Sequence, residues 1–316
     1  MDPKSSLRFI VKGIPVESQF VHRDRCEICG SSDKAILISR PFTAPAIWDF
    51  LERYYASRVD KNVLADAPYE VARCTQCGFM WQTYILNDHW MEVLYSQWIL
   101  ASGSLEKKRQ SNLNDFARYA REAYVIGRQI DKPPHLIRVL DYGMGWGYWC
   151  LMAKAFGYEA YGVELSQERI DFARENGIQT LDLSTIDGPY FDFINCEQTF
   201  EHIPRPLDQL KQLAGVLNPG GILRIAVPNA AGKEAAFADP AWQPSKDAFH
   251  PLEHINSFTH QTLHVLARQA GLRVIPSPIL PKFFPSPRQW IGERILKSTP
   301  WWVAPTTVYL TQDKPR

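Results

Sequence analysis

From Leu136 onward the chain alternates short apolar runs with helical patterns, and that alternation leaves few folds open. Strands are expected at Leu136 to Leu140, Ala160 to Val163, Phe191 to Cys196 and Ile222 to Val227, with a weaker one at Ile178 to Leu181. Helices are expected between them at Tyr148 to Phe156, Gln167 to Glu175 and Leu207 to Leu217. Gly157, Gly177 and the run Asn218-Pro219-Gly220-Gly221 stand where those helices should stop. Strand-helix alternation of this kind predicts a doubly wound α/β fold, a mainly parallel sheet covered on both faces. In such a fold the ligand lies beyond the carboxyl ends of the strands.

The first of these strands runs into Asp141-Tyr142-Gly143-Met144-Gly145-Trp146-Gly147 and then directly into a helix. Glycines there let the chain turn sharply and let the backbone approach a nucleotide-like ligand. The G-x-G-x-G spacing departs from the dinucleotide pattern G-x-G-x-x-G, which argues against a nicotinamide-dependent dehydrogenase. The second strand ends in Glu164, 21 residues after Gly143, a distance that suits a carboxylate accepting hydrogen bonds from both hydroxyls of a ribose. A merely solvated strand-end residue is the alternative for Glu164.

Three blocks extend the pattern: VLDYGMGWGYWCLMAKAFGYEAYGVELS, FDFINCEQTFEHIPRPLDQLKQLAGVLNPGGILRIAVPN and HINSFTHQTLHVLARQAGLRV. In order and interval they resemble the class I S-adenosylmethionine-dependent methyltransferases over roughly Leu136 to Val274, in particular the subgroup with E-H-I/V-P after the fourth strand. The resemblance implies a Rossmann-like seven-stranded sheet. It also implies that Asp141, Gly143 and Gly145 pack against the cofactor's methionine and ribose portions, that Glu164 holds the ribose and that Leu165 flanks the adenine. Asp182 or Leu183, after the third strand, would meet the adenine edge. Asn195, Cys196 and Glu197 would line the methionine end.

The amino-terminal part carries a different signal. Cys26-Glu27-Ile28-Cys29-Gly30 and Cys74-Thr75-Gln76-Cys77-Gly78 are matched C-x-x-C-G pairs separated by 44 residues. Each forms a loop whose two sulfurs converge, and its glycine permits the positive φ that brings backbone amides to the sulfurs. Together they supply four soft ligands for a closed, structural, tetrahedral Zn²⁺ site. Disulfides and a redox pair are the competing readings; a redox C-x-x-C would need one copy in a thioredoxin-like setting, where this chain has two matched copies. The aromatic-rich stretch from Ala46 to Ala56 reads as a helix inserted between the knuckles. Cys150 and Cys196, in apolar runs, read as buried small hydrophobes. A two-knuckle module before the glycine-rich turn is similar to that of zinc-binding methyltransferases of bacterial sugar and secondary-metabolite pathways, including deoxysugar C-methyltransferases.

The expected organisation is a zinc module over residues 1–83, a helical linker or lid over 84–130 and the methyltransferase domain over 131–316. In the linker, Trp90, Val93, Leu94, Trp98 and Leu100, then Leu113, Phe116, Tyr119, Ala120, Ala123, Tyr124 and Ile126, recur as two amphipathic helices require. A final hairpin is expected near Trp302 to Leu310. Lys plus Arg total 35 and Asp plus Glu 34, a net charge of +1, which argues against a basic nucleic-acid footprint across the surface. No run of about 18 apolar residues appears, and the start Met1 to Ser6 lacks a secretory pattern, so a cytoplasmic protein is expected.

Methyl transfer to a hydroxyl or carbon acid needs a group that removes a proton. His202, beside Glu201 after the fourth strand, and His250 and His254, after the fifth, lie on loops that face the ligand crevice and are the candidates. Tyr84 and Tyr95 could cover the cofactor or pack within the aromatic module. The expected acceptor is a small molecule, a sugar or natural-product intermediate. The alternatives are a zinc-containing RNA methyltransferase and a non-catalytic zinc adaptor. Asn195-Cys196-Glu197-Gln198 stands where base-methylating enzymes keep Asn/Asp-Pro-Pro-Tyr/Phe, which argues against RNA.

Overall fold

The computed structural model describes residues 18–99, 105–106, 108–110, 113–277 and 305–312. The amino-terminal part is built from β1 (Phe20–His22), β2 (Lys34–Pro41), helix α1 (Pro45–Tyr54), β3 (Pro68–Cys74), β4 (Met80–Gln82) and β5 (Tyr84–Leu86). Pro45 opens α1, where a missing N–H costs nothing, and Ile47 and Leu51 carry its buried stripe. Strands β2, β3 and β4 form an antiparallel meander, while β1 pairs with β5 through Phe20 opposite Leu86.

Two short helical pieces follow, α2 (Asp88–Val93) and a π-helical turn over Leu94–Trp98. Asn87 caps α2 by accepting a hydrogen bond from the Trp90 amide at 3.0 Å. The longer helix α3 (Leu113–Gln129) buries Tyr119, Ala123 and Ile126 at the expected spacing. Leu100, which the sequence assigns to the first amphipathic helix, lies outside the described residues.

The alternating part gives β6 (Arg138–Tyr142), α4 (Tyr148–Ala155), β7 (Glu159–Val163), α5 (Gln167–Glu175), β8 (Gln179–Thr180), β9 (Phe191–Glu197), α6 (Pro206–Gly215) and β10 (Leu217–Val227). After these come β11 (Asn256–Ser257), α7 (His260–Gln269), β12 (Leu272–Ile275) and β13 (Thr306–Gln312). Seven strands line up as β12-β13-β10-β9-β6-β7-β8, and among them only β13 runs antiparallel to its neighbours. This is the expected doubly wound α/β sheet. Its order reverses at β6, with β7 on one side and β9 on the other, so the crevice opens past Tyr142 and Glu197.

Three local differences have physical reasons. The run Asn218-Pro219-Gly220-Gly221 does not precede the fifth strand but lies inside it, because β10 begins at Leu217 and absorbs the four residues as a bulge against β9. Of the expected hairpin at Trp302 to Leu310, residues 302–304 lie outside the described residues, and Thr306–Gln312 forms one strand inserted between β10 and β12. The amino-terminal sheet is completed from far downstream: Asn256 and Ser257 of β11 pair with Trp81 and Met80 of β4.

That pairing fuses the two parts through a shared core. Phe79 stacks on Trp81 and meets Phe258 with ring centroids 5.2 Å apart, and Cys26, Cys74, Phe79 and Trp81 belong to the same buried cluster as Leu140, Ile194 and Leu223. Burial of several such aromatic side chains, each contributing about 1.5–3 kcal/mol, makes the junction a core in its own right. Among the described residues no helix is long and apolar enough to cross a membrane.

Candidate active site

The turn after β6 is closed by two hydrogen bonds from the amides of Gly143 and Met144 to the carbonyl of Val163, at 2.9 and 3.0 Å. Gly143 has φ +79°, and a Cβ there would come within 2.5 Å of Thr199 Oγ1, so no other residue fits. Gly145 also has positive φ, +56°, but nothing lies within 4 Å of where its Cβ would be. Its bare backbone faces open space at the mouth of the crevice, the arrangement a nucleoside ligand needs for close approach.

Glu164 leaves β7 at this mouth. One carboxylate oxygen accepts from the Gly145 amide at 2.9 Å, and the other accepts from the amides of Leu165 at 2.9 Å and Ser166 at 3.1 Å. Arg169 on α5 approaches to 3.6 Å. The side chain is thereby fixed beside the open backbone of Gly145, with further lone pairs to offer a diol. Leu165, next to it, is 87% exposed, an apolar surface without a protein partner to cover it. Asp182 is exposed and accepts from the Ser184 amide at 2.9 Å, which holds its carboxyl below the usual range. Leu183, its neighbour, is buried in the core.

Below the turn runs a buried polar chain. Asp141 accepts from Asn195 Nδ2 at 2.8 Å, and Asn195 Oδ1 accepts from Arg224 at 2.6 Å. Burial pushes the Asp141 carboxyl up to about 7. Glu197 accepts from Arg118 at 2.8 Å and Arg224 at 3.0 Å. Burial works to raise its pKa, but Arg224 and Arg118 outweigh it and hold the carboxylate ionised. Glu122 joins the same arginines and accepts from the Trp149 indole at 3.0 Å. Cys196 is wholly buried in β9, and burial raises its thiol well above the ordinary value. Sequence reasoning missed Arg118 and Arg224; the only local signal was the four-residue spacing of Arg118 and Glu122.

The three candidate histidines converge from two loops. His202 sits in a 3₁₀ turn after β9, its Nδ1 2.9 Å from the carbonyl of Glu253 and 3.1 Å from the Tyr95 hydroxyl. His254 Nδ1 meets the carbonyl of Asp247. A carbonyl only accepts, so Nδ1 carries the proton in both rings and each Nε2 keeps its lone pair. The two rings lie 5.1 Å apart. Burial lowers His202 to about 3 and His254 to about 4, so both are neutral at pH 7. Glu201, 1% exposed, has no hydrogen-bond partner on either oxygen, and burial pushes its carboxyl up to about 8. His250 is fully buried, with neither ring nitrogen hydrogen-bonded, and is packed edge-on against Phe50 and Tyr54 of α1. Tyr84 stacks on His22 and does not join this group.

Two sets of side chains gather closely enough to be tested as metal ligands. Cys26 and Cys77 place their sulfurs 3.5 Å apart, as do Cys29 and Cys74. Metal–sulfur bonds of about 2.3 Å in a tetrahedron put sulfurs about 3.8 Å apart, so the four thiols fit one ion. Both knuckles share a backbone design: Gly30 donates to Cys26 O at 2.8 Å and Gly78 to Cys74 O at 3.0 Å, each glycine with positive φ. Glu201, His202 and His254 also gather their ligand atoms within 4.8 Å. Yet Glu201 Oε1 stands 4.0 Å from His202 Nε2, beyond hydrogen-bond reach and wider than the roughly 3.4 Å of a tetrahedral site with bonds of about 2.1 Å.

An open glycine backbone at the switch point, with a carboxylate anchored beside it and a buried acid-histidine group across the same edge, defines an α/β protein that binds a nucleoside cofactor. The chain belongs to the methyltransferase-domain family, which matches residues 89–277, more than half of its length. It is 32% identical over 95 residues to a ubiquinone biosynthesis O-methyltransferase of Coxiella burnetii, covering 27% of this chain and 41% of that protein. To the protein of the same name from Bordetella avium it is 26% identical over 150 residues, covering 43% and 61%. The chain thus spans less than two thirds of these relatives. Among solved structures, the plantazolicin methyltransferase in complex with SAH shares 16% identity, with 70% of this chain and 93% of that one covered and a TM-score of 0.45. A TehB-like SAM-dependent methyltransferase from Corynebacterium glutamicum shares 16%, with 67% and 97% covered and a TM-score of 0.42.

Proposed function

We propose that the protein transfers a methyl group from S-adenosylmethionine to a small-molecule acceptor, and that a structural Zn²⁺ sits among Cys26, Cys29, Cys74 and Cys77. The observation that carries the first part is Glu164, held by three amides beside the open backbone of Gly145 at the switch point. Glu164 then takes the ribose, Leu165 lies along the adenine, and Asp182 or the Leu183 backbone meets its edge. Gly143 and Gly145 face the ribose and methionine portions. Asp141 and Asn195 brace the turn from below, and Cys196 packs behind it. Glu197, fixed by Arg118 and Arg224, faces the methionine end.

The cofactor supplies an electrophilic methyl on a sulfonium. The protein orients the acceptor, excludes water and removes a proton. His202 and His254 present unprotonated Nε2 atoms that can take that proton, and the buried Glu201 carboxyl, itself protonated at pH 7, stands beside them. His250 backs this pair through its packing against α1. The acceptor is therefore a hydroxyl or carbon acid, such as a sugar or natural-product intermediate. The near-zero net charge favours a small molecule over RNA.

Incubation with isotopically labelled cofactor and panels of sugar nucleotides and phenolic intermediates, followed by mass detection, tests the reading. A product heavier by one methyl group is expected. Cofactor that neither binds in calorimetry nor labels any acceptor would overturn it.

A further inference from the structure

Gln82 ends β4, inside the cysteine-bearing sheet, and is 2% exposed. Its Nε2 donates to the carbonyls of His250 at 3.1 Å and His254 at 3.0 Å. Its Oε1 accepts from the Leu252 amide at 3.4 Å, and its own amide donates to Ile255 O at 3.0 Å. One side chain therefore serves the backbone on both sides of Leu252, a residue held at φ +70° where a branched side chain is strained.

Arg23, three residues before the first knuckle, acts on the same loop. Its guanidinium donates to Ile255 O at 3.1 Å and to Asn256 Oδ1 at 2.8 Å. Asn256 in turn donates to Phe200 O at 3.0 Å and Ile203 O at 2.6 Å, the carbonyls that flank Glu201 and His202. The loop with His254 and the turn with His202 are thus tied to each other and to the cysteine sheet.

We propose that Gln82, assisted by Arg23, is a positioning residue: the four-cysteine module holds His254 in register with His202 and Glu201 at the cofactor edge. This rests on the proposed proton-transfer role of those histidines for its meaning, and on the hydrogen bonds of Gln82, Arg23 and Asn256 for its geometry. Without the Gln82 donors, the carbonyl of His254 loses its partner, that of His250 keeps only the His254 amide, and the strained turn at Leu252 relaxes.

The test uses the full chain and Gln82→Met, which removes both donors and adds no charge. His254 is faced by Asp247, Lys246, Lys233, His250, His202 and Glu201. None of these is altered by the substitution. In a proton NMR titration, His254 of the wild type should stay neutral to about pH 4, and in Gln82→Met its midpoint should rise by roughly one unit or more toward the ordinary histidine value. Cofactor affinity should stay within about twofold, since Gln82 touches none of the Glu164 site. An unmoved His254 titration in folded Gln82→Met overturns the proposal. If that variant does not fold, hydrogen exchange of the wild type decides: the amides of Leu252 and Gln82 should be protected like those of β3, and rapid exchange there overturns the proposal equally. Methyl transfer by His254→Ala checks the base assignment separately, so the two readings can fail apart.

Discussion

The four cysteines and the group of Glu201, His202 and His254 are both buried clusters of ligating side chains, built in opposite ways. Each cysteine pair is a local device, five residues with one glycine and one short backbone hydrogen bond, and two copies meet face to face. The histidine group has no local device. It joins a 3₁₀ turn after β9 to a loop after β10, borrows Tyr95 from the π turn, and is clamped by Gln82 from the other sheet. A cluster encoded by short spacing tolerates much change elsewhere in the chain. One encoded by topology depends on every element that delivers a part of it.

The sharpest way to break the comparison is Cys74→Ser. Metal binding in closed four-cysteine sites contributes about 10–16 kcal/mol to folding of the segment that makes them, so loss of the metal and of order in β2, β3 and β4 is expected. Because β11 pairs with β4, the loss should spread to the histidine loop. Metal content by mass spectrometry and thermal melting of the full chain would check both. Retained metal would refute the site, and a lost metal with an unchanged His254 environment would show the two clusters to be independent.

Glu164 stands between the two extremes. Its distance from Gly143 is a sequence spacing, but its fixed orientation comes from an amide across the turn. Glu164→Ala should weaken cofactor binding by roughly 10- to 100-fold, the 1.5–3 kcal/mol of hydrogen bonds to a charged group, as read by calorimetry. Unchanged affinity would remove Glu164 from the ribose.

What could be read from the sequence follows the same division. Helix Gln167–Glu175 and strand Phe191–Glu197 matched expectation to within a residue because periodicity is a property of the segment itself. The start of β10 was missed because Asn-Pro-Gly-Gly carries turn chemistry whether it ends a helix or bulges a strand. The two-residue β11 has no period at all. Arg118 and Arg224 were invisible as site residues because Glu197, which they share, is distant in sequence from both. The burial of His250 comes from rings of α1, some 200 residues earlier, a packing that no local pattern around it indicates.

The smallest expected effect isolates what burial does to the histidine group. Glu201 has its pKa raised from 4.5 to about 8, so the native state holds that proton more tightly than the unfolded chain. Its contribution to stability is full below pH 4.5 and is lost as pH rises through 8. His202 and His254 are lowered from 6.5 to about 3 and about 4; their contribution is full above pH 6.5 and is lost as pH falls toward those values. Among the acidic groups that burial raises, Glu201 at about 8 and Asp141 at about 7 titrate above pH 6.5, and burial raises Glu253 as well. Glu201→Gln keeps the shape of the neutral acid and removes its proton equilibrium. Melting temperatures between pH 6.5 and 8.5 should then fall less steeply in the variant than in the wild type, by at most about 1.4 kcal/mol of stability per pH unit, with Asp141 supplying the residual slope. Identical slopes would mean that Glu201 is ionised in the native protein. The group would then need a cation after all, and the two clusters would be closer in kind than their spacing indicates.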